Sequence, residues 1–287
     1  MRALILAGGA AKNAYQIGIL QYLLGNLEVK YDLIIGVSSG AILGSFLGQF
    51  KHGEEKIAVA ELTKLWKGIS TKDVCKSWRP LGRIQALWKH GLFDNSNIFK
   101  IIKNNVSLDR IRASGKTVCV NVVSMSDAQH YTISQTDDDF LDFVVASSAY
   151  PGIFPPVKIK DHFYIDGGTK DLVNTQHAID MGATQIDILL TSPNKIEKTK
   201  FVINLFNIVQ RVLDISSDKI ISSDLDRLLS YNELAGSGMN NKERIKLNII
   251  RPNDILLKNS FKWDAAKTSE LIQAGYQDAI QQYKIFE

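Results

Sequence analysis

Hydrophobic and polar positions in the first fifty residues predict two strands and two helices. Residues 2–7 form an apolar run typical of a strand, and residues 14–24 carry apolar side chains at near-helical spacing. A second short strand is predicted at 33–35 and a second helix at 41–50. The order strand, helix, strand is that of a β-α-β unit, which favours parallel strands.

The alternation of strands and helices continues along the chain. Further strands are predicted at 117–123, 186–190 and 247–250, and further helices at 140–145 and 175–181. We therefore predict an α/β fold with a central, mainly parallel sheet. No repeat or Pro/Gly-rich linker divides the sequence, so residues 1–287 are expected to form a single domain, largely helical from about residue 200.

A long helical pattern at 201–229 carries two neighbouring apolar rows. One row is Phe201, Leu205, Ile208, Val212 and Ile215, and the other is Val202, Phe206, Val209 and Leu213. We favour packing on the core as the explanation of so wide an apolar face. Contact with an acyl chain, as part of a lid, is the alternative.

Composition and charge narrow the functional classes. The chain is 45% hydrophobic and 22% charged, its net charge is only +4, and it has no Lys/Arg block, so no nucleic-acid partner is expected. Two cysteines, Cys75 and Cys119, are too few for a disulfide scaffold or a cysteine-rich zinc site. The first residues resemble neither a signal peptide nor a membrane span, so we expect a cytoplasmic protein.

Ser38 stands in a G-x-S-x-G motif, between the predicted strand at 33–35 and the predicted helix at 41–50. Gly36 and Gly40 allow a sharp turn that exposes one hydroxyl, the arrangement called a nucleophile elbow. A serine hydroxyl needs a base to become a nucleophile. In α/β-hydrolases that base is a histidine after the acid; His177 is formally available, but the elbow here follows only two strands.

Two further motifs could complete such a site. The segment GGAAKN at 8–13 fails the patterns for dinucleotide and phosphate loops, yet backbone N–H groups at a helix start could hold a negative oxygen. Asp166 begins a D-G-G turn and would be ionised at neutral pH, so it could accept a proton from Ser38 if the two touch. The hydroxyls of Ser39, Ser147 and Ser148 are given no catalytic role, although the backbone N–H of Ser39 could add to an oxyanion site.

Four motifs in this order resemble the patatin-like phospholipases, serine acyl hydrolases that use a Ser-Asp dyad without histidine. Their pattern is G-G-G-x-R/K-G, G-x-S-x-G, A-S-x-A-x-P-x-x-F-P-P and D-G-G/A. The chain offers GGAAKN at 8–13, GVSSG at 36–40, ASSAYPGIFPPV at 146–157 and DGG at 166–168.

The resemblance implies a three-layer α/β/α fold. It makes Ser38 the nucleophile, Asp166 the proton acceptor, and the backbone of Gly8, Gly9 and Ala10 the oxyanion hole. It implies no cofactor, and the sequence shows no ligand cluster with metal spacing.

The activity implied is cleavage of lipid ester bonds through an acyl-enzyme, as in a phospholipase or lysophospholipase. Ala10 and Asn13 stand where the family pattern has glycine, and loss of one oxyanion donor would cost roughly a hundredfold in rate. The alternatives are an esterase or thioesterase acting on small acyl substrates, and a non-catalytic lipid-binding relative.

Residues 63–90 combine tryptophan with positive charge, since they contain seven Lys/Arg. The tryptophans are Trp66, Trp78 and Trp88. We favour core tryptophans beneath a solvated basic face. The alternative is peripheral contact with an anionic membrane surface, made through Lys72, Lys76 and Arg79.

Overall fold

The computed structural model describes residues 1–79, 88–194, 205–236 and 244–286. The strands are β1 (Arg2–Leu6), β2 (Leu33–Gly36), β3 (Thr117–Ser124), β4 (His130–Ser134), β5 (Val157–Ile159), β6 (His162–Asp166), β7 (Gln185–Leu189) and β8 (Lys246–Ile250). The helices are α1 (Ala14–Leu20), α2 (Ser39–Gly48), α3 (Glu55–Gly68), α4 (Thr71–Val74), α5 (Ser96–Asn105), α6 (Leu108–Ala113), α7 (Phe140–Ser147), α8 (Thr175–Asp180), α9 (Leu205–Gly236) and α10 (Ala265–Gln282).

The strands form one sheet in the order β5-β6-β3-β2-β1-β7-β8, and β4 pairs with β3 beside this path. Pairing is parallel from β3 through β2, β1 and β7 to β8. Strands β4 and β6 run antiparallel to β3, and β5 runs antiparallel to β6. The predicted α/β fold with a mainly parallel central sheet is therefore confirmed, while β4 and β5 were not predicted.

Helices cover both faces of the sheet. Leu4 and Leu6 of β1 belong to a core cluster that includes residues of α1, α2, α3, α7 and α10. Ala3 and Ile5 point the other way, into a second cluster with residues of α8 and α9. Because side chains alternate along a strand, β1 is buried on both sides, and the molecule has three layers.

Helix α9 presents a different side to the sheet from the one that the sequence suggested. Ile221, Leu225 and Leu228 are buried, whereas Ile208, Val212 and Ile215 are exposed. Packing on the core, our favoured interpretation for that row, is therefore wrong for its three described members. The remaining side chains of the two rows lie outside the described residues: Phe201, Leu205, Val202, Phe206, Val209 and Leu213.

The tryptophans of residues 63–90 differ in burial. Trp66 is buried, which confirms our favoured interpretation for that residue. Trp88 is exposed, so the interpretation as a core tryptophan is wrong for Trp88. Lys76 is held in an ion pair, with its Nζ 2.9 Å from Oδ2 of Asp94. Within the described ranges, we find no helix that combines the length and the hydrophobicity needed to span a bilayer.

Candidate active site

Ser38 lies in the sharp turn between β2 and α2. Its backbone has φ 56° and ψ −131°, in the left-handed half of conformational space where serine is rare. The turn is tight, because a Cβ at Gly40 would lie 2.2 Å from the carbonyl oxygen of Leu6. The glycine-rich loop, residues 8–13, also approaches Ser38 closely, because a Cβ added at Gly8 would lie 2.6 Å from the Cβ of Ser38. This is the strained elbow that the motif predicts.

Asp166 ends β6 and is almost fully buried. Its Oδ1 accepts a hydrogen bond of 2.8 Å from the N–H of Gly168, while Oδ2 has no partner among the described residues. Burial raises the pKa of Asp166 to about 7, and interactions with the Ser38 hydroxyl and the Gly168 N–H oppose that rise. The two side chains thus interact, although no well-formed hydrogen bond joins them.

The segment 146–157 holds the backbone of both residues. The N–H of Ser38 donates to Oγ of Ser147 at 2.9 Å, and Oγ of Ser148 donates to the Ser38 carbonyl at 3.2 Å. The N–H of Asp166 donates to the carbonyl of Ala149 at 3.1 Å. The hydroxyls of Ser147 and Ser148, for which the sequence predicts no catalytic role, therefore position the elbow.

Ser39 organises the glycine-rich loop. Its Oγ accepts hydrogen bonds from the N–H groups of Gly9 at 3.1 Å and Ala10 at 2.7 Å, and donates to Oδ1 of Asn13 at 2.9 Å. The N–H groups of Gly8 and Ser39 itself have no acceptor within the described part of the chain. Sequence reasoning missed this role of the Ser39 hydroxyl, since its partners lie at least 26 positions away.

Asn13, one of the two departures from the family pattern, is a fixed part of the loop. Its Nδ2 donates to the carbonyl of Ala7 at 3.1 Å and to Oε1 of Gln16 at 2.9 Å. Gln16 in turn donates to the carbonyls of Ala7 and Leu189. Ala10, the other departure, adopts φ 52°, a value that glycine tolerates better.

A cavity of about 170 Å³ joins these elements. One water needs about 10–15 Å³ of such space, so the cavity can take a group much larger than water. Its wall includes Gly8, Ser38 and Asp166. Its apolar lining comes from Ile42, Trp66, Ile69, Val74, Ile98, Ile101, Phe154, Leu172, Ile221, Ile255, Leu256, Leu257, Phe261 and Trp263.

The same cavity has a charged side. Lys12 and Asp214 line it, and Nζ of Lys12 lies 3.8 Å from Oδ1 of Asp214. Burial lowers the pKa of Lys12, and Asp214 partly offsets that effect. No histidine is among the described lining residues, and His177 instead contacts Sγ of Cys119 at 3.7 Å.

Residues 4–179 match the family model described as patatin-like phospholipase, which is more than half of the chain. The chain belongs to the patatin-like phospholipase family.

The proteins that this chain resembles differ in length. Probable lipid hydrolase 463L of Invertebrate iridescent virus 6 is 27% identical, over 88% of this chain and 92% of its own. The calcium-independent phospholipase A2-gamma of Oryctolagus cuniculus is 23% identical over 63% of this chain, but this match covers only 25% of the rabbit protein. The crystal structure of VipD from Legionella pneumophila aligns with 98% of this chain and 66% of its own, at 12% identity and a TM-score of 0.44.

The structure brings the sequence-predicted residues of this patatin-like chain to one place. Ser38, Asp166, Gly8, Gly9 and Ala10 all line the cavity. Among the described residues, no group of three or more His, Cys, Asp or Glu side chains is arranged to hold a metal ion.

Proposed function

We propose that the protein is a serine acyl hydrolase that cleaves lipid esters, with Ser38 as nucleophile and Asp166 as base. One observation carries the proposal: a strained, half-buried serine and a buried, raised-pKa aspartate share one largely apolar cavity. The family and the viral relative's name support a lipid substrate. The apolar lining supplies the room that an acyl chain needs.

The chemistry follows acyl transfer in two halves. Oγ of Ser38 attacks the ester carbonyl carbon while its proton passes to Asp166. The tetrahedral intermediate collapses, and the leaving alcohol takes the proton from Asp166. Water then attacks the acyl-serine and gives a proton to Asp166, which returns it to Ser38 Oγ as the fatty acid leaves.

Stabilisation of the tetrahedral oxyanion is assigned to backbone donors. Gly8 and Ser39 are our candidates, because their N–H groups are uncommitted within the described structure. The N–H groups of Gly9 and Ala10 are engaged by Ser39 in this arrangement, so they shape the loop. A contribution from Gly9 or Ala10 to the oxyanion would require Ser39 Oγ to move.

The site of action is proposed to be a membrane surface reached from the cytoplasm. An acyl lipid has to be taken from a membrane or micelle, and a chain with only two cysteines, both buried, fits a compartment that keeps thiols reduced. Binding to an anionic surface through Lys72, Lys76 and Arg79 is less well supported, because Lys76 is occupied by Asp94.

A fluorophosphonate probe tests the dyad directly. We expect wild type to be labelled and to hydrolyse acyl esters, Ser38→Ala to lose both activities, and Asp166→Asn to slow them roughly 10²–10⁴-fold. Circular dichroism should show that both variants fold.

The alternatives give other outcomes. Labelling that persists in Ser38→Ala would remove the proposal, and wild type that neither labels nor hydrolyses would indicate a non-catalytic lipid-binding relative. A preference for short acyl chains over long ones would favour the small-ester or thioesterase alternative.

A further inference from the structure

One side of α9 exposes large apolar side chains over two turns. Ile208 is 41% exposed, Val212 55% and Ile215 52%. Their spacing of four and three residues places them in a row along the helix, which we call the apolar stripe. A contiguous apolar row of this size is often a functional contact surface.

The stripe borders the candidate active site. The adjoining side of the same two turns contributes Arg211 and Asp214 to the cavity, and the next turn contributes Asp218. Asp214 also faces Lys12 of the glycine-rich loop. Whatever covers the stripe therefore lies beside the cavity that contains Ser38.

The charges near the stripe and its exposed area indicate which kind of partner it contacts. Both charged residues between positions 208 and 215 line the cavity, so the stripe can enter an apolar medium without carrying a charge with it. Three half-exposed side chains offer a few hundred Å² at most, well below the roughly 800 Å² per partner of a stable protein interface. The described part of the stripe is therefore too small to hold a second copy of the chain by itself.

We infer that the apolar stripe rests on the acyl-chain boundary of a phospholipid membrane and places the cavity at the lipid surface. This inference rests on the proposed lipid substrate. Apolar side chains that contact a membrane surface lie at the boundary between headgroups and acyl chains. The contact is apolar, unlike the cationic contact considered for Lys72, Lys76 and Arg79.

Vesicle binding by the Ser38→Ala protein tests the inference without any need for catalysis. The probe is phosphatidylcholine vesicles, at 0.15 M and at 1 M NaCl. The stripe variant carries Ile208→Ser, Val212→Ser and Ile215→Ser in this background. A control variant carries Ile57→Ser, Leu229→Ser and Ile280→Ser, which remove three similarly exposed apolar side chains outside the cavity.

We expect the stripe variant to lose at least about tenfold in vesicle partitioning. The control variant should bind like its parent, and 1 M NaCl should change binding little. Equal binding by the stripe and control variants would overturn the inference. So would loss of binding in high salt, or a wild-type dimer that the stripe variant dissociates.

A second measurement covers the case in which the stripe variant folds poorly. Val212→Cys is labelled with an environment-sensitive fluorophore, and Leu229→Cys serves as its control on the same helix. Both native cysteines are buried. Vesicles should raise the fluorescence several-fold at 212 and not at 229, and equal signals would contradict docking. Because binding is read in inactive protein, failure here leaves the Ser38 and Asp166 proposal untouched.

Discussion

Ser39 shows how one hydroxyl can fix a catalytic loop. Its Oγ has three hydrogen-bonding partners, two of them loop N–H groups that would otherwise be left unsatisfied in a partly buried place. Because Ser39 follows Ser38 directly, these bonds tie the loop to the elbow. The position of the glycine-rich loop relative to Ser38 is thereby fixed.

Replacing Ser39 by alanine should expose this role. We expect the free energy of unfolding to fall by about 1–3 kcal/mol and the ester hydrolysis rate to fall with it, since the loop loses its anchor. Denaturant unfolding and steady-state kinetics give the two values. Ser45→Ala is the matched control, because this buried hydroxyl of α2 has no partner in the described structure. Equal stability of the two variants would contradict the anchoring role.

At the residue level, the sequence revealed the motifs and not the bonds between them. Ser38 could be found because Gly36 and Gly40 meet a local requirement of the turn. The functions of Ser39 and Ser147 depend on partners brought close by the fold, and Ser147 meets Ser38 across 109 positions. Residue type and spacing carry no signal for such contacts.

Among the elements, α1 and α10 make a close crossing that supports the glycine-rich loop. A Cβ at Gly275 would lie 1.9 Å from the carbonyl oxygen of Tyr15, and one at Gly18 would lie 1.8 Å from that of Ile272. The two backbones therefore touch directly. Helix α1 begins just after the loop, so α10 helps to set the loop's position.

Gly275→Ala should separate these helices. We expect a loss of about 3 kcal/mol or more in unfolding free energy, because a methyl group cannot fit against backbone atoms. Thermal unfolding measures it. Gly68→Ala, at the end of α3, is the control, since nothing lies within 4 Å of its added Cβ. A Gly275→Ala protein as stable as Gly68→Ala would rule out the close crossing.

Strands were predicted correctly where they are buried on both faces of the sheet, because such strands have continuous runs of apolar residues. Strands β1, β2, β3 and β7 are of this kind. Strand β8 was predicted from its apolar residues Leu247, Ile249 and Ile250, although it keeps exposed and half-buried positions. Strands β4 and β5 contain few apolar residues in a row, because each has positions that face solvent. Their sequences therefore resemble those of loops. For α9 the helix was predictable, but its buried side was not, because apolar residues occupy both its sheet-facing side and the exposed stripe.

Across the whole molecule, buried carboxyl groups link stability to pH. Burial raises the pKa of Asp166 to about 7, and it also raises the pKa of Asp171 and Asp224. A raised pKa means that the folded state binds more protons than the unfolded one, so these groups lose stabilising effect as pH rises towards 7. Burial lowers the pKa of His130 and His177 below the ordinary value for histidine, and this makes stability rise with pH, the opposite direction.

The contribution of Asp166 to the pH dependence of stability can be separated from those of the other groups by comparing wild type with Asp166→Asn at several pH values. The unfolding free energy of wild type should fall relative to the variant between about pH 4 and pH 7, by a few kcal/mol in all, because only wild type must ionise a buried carboxyl group. Hydrolysis by wild type should rise through the same range with an apparent pKa near 7, since only the ionised form accepts the Ser38 proton. Ionisation of Asp166 thus lowers the unfolding free energy while it raises the rate of hydrolysis. A stability difference that does not vary with pH, or hydrolysis that is already maximal at pH 5, would contradict the raised pKa of Asp166.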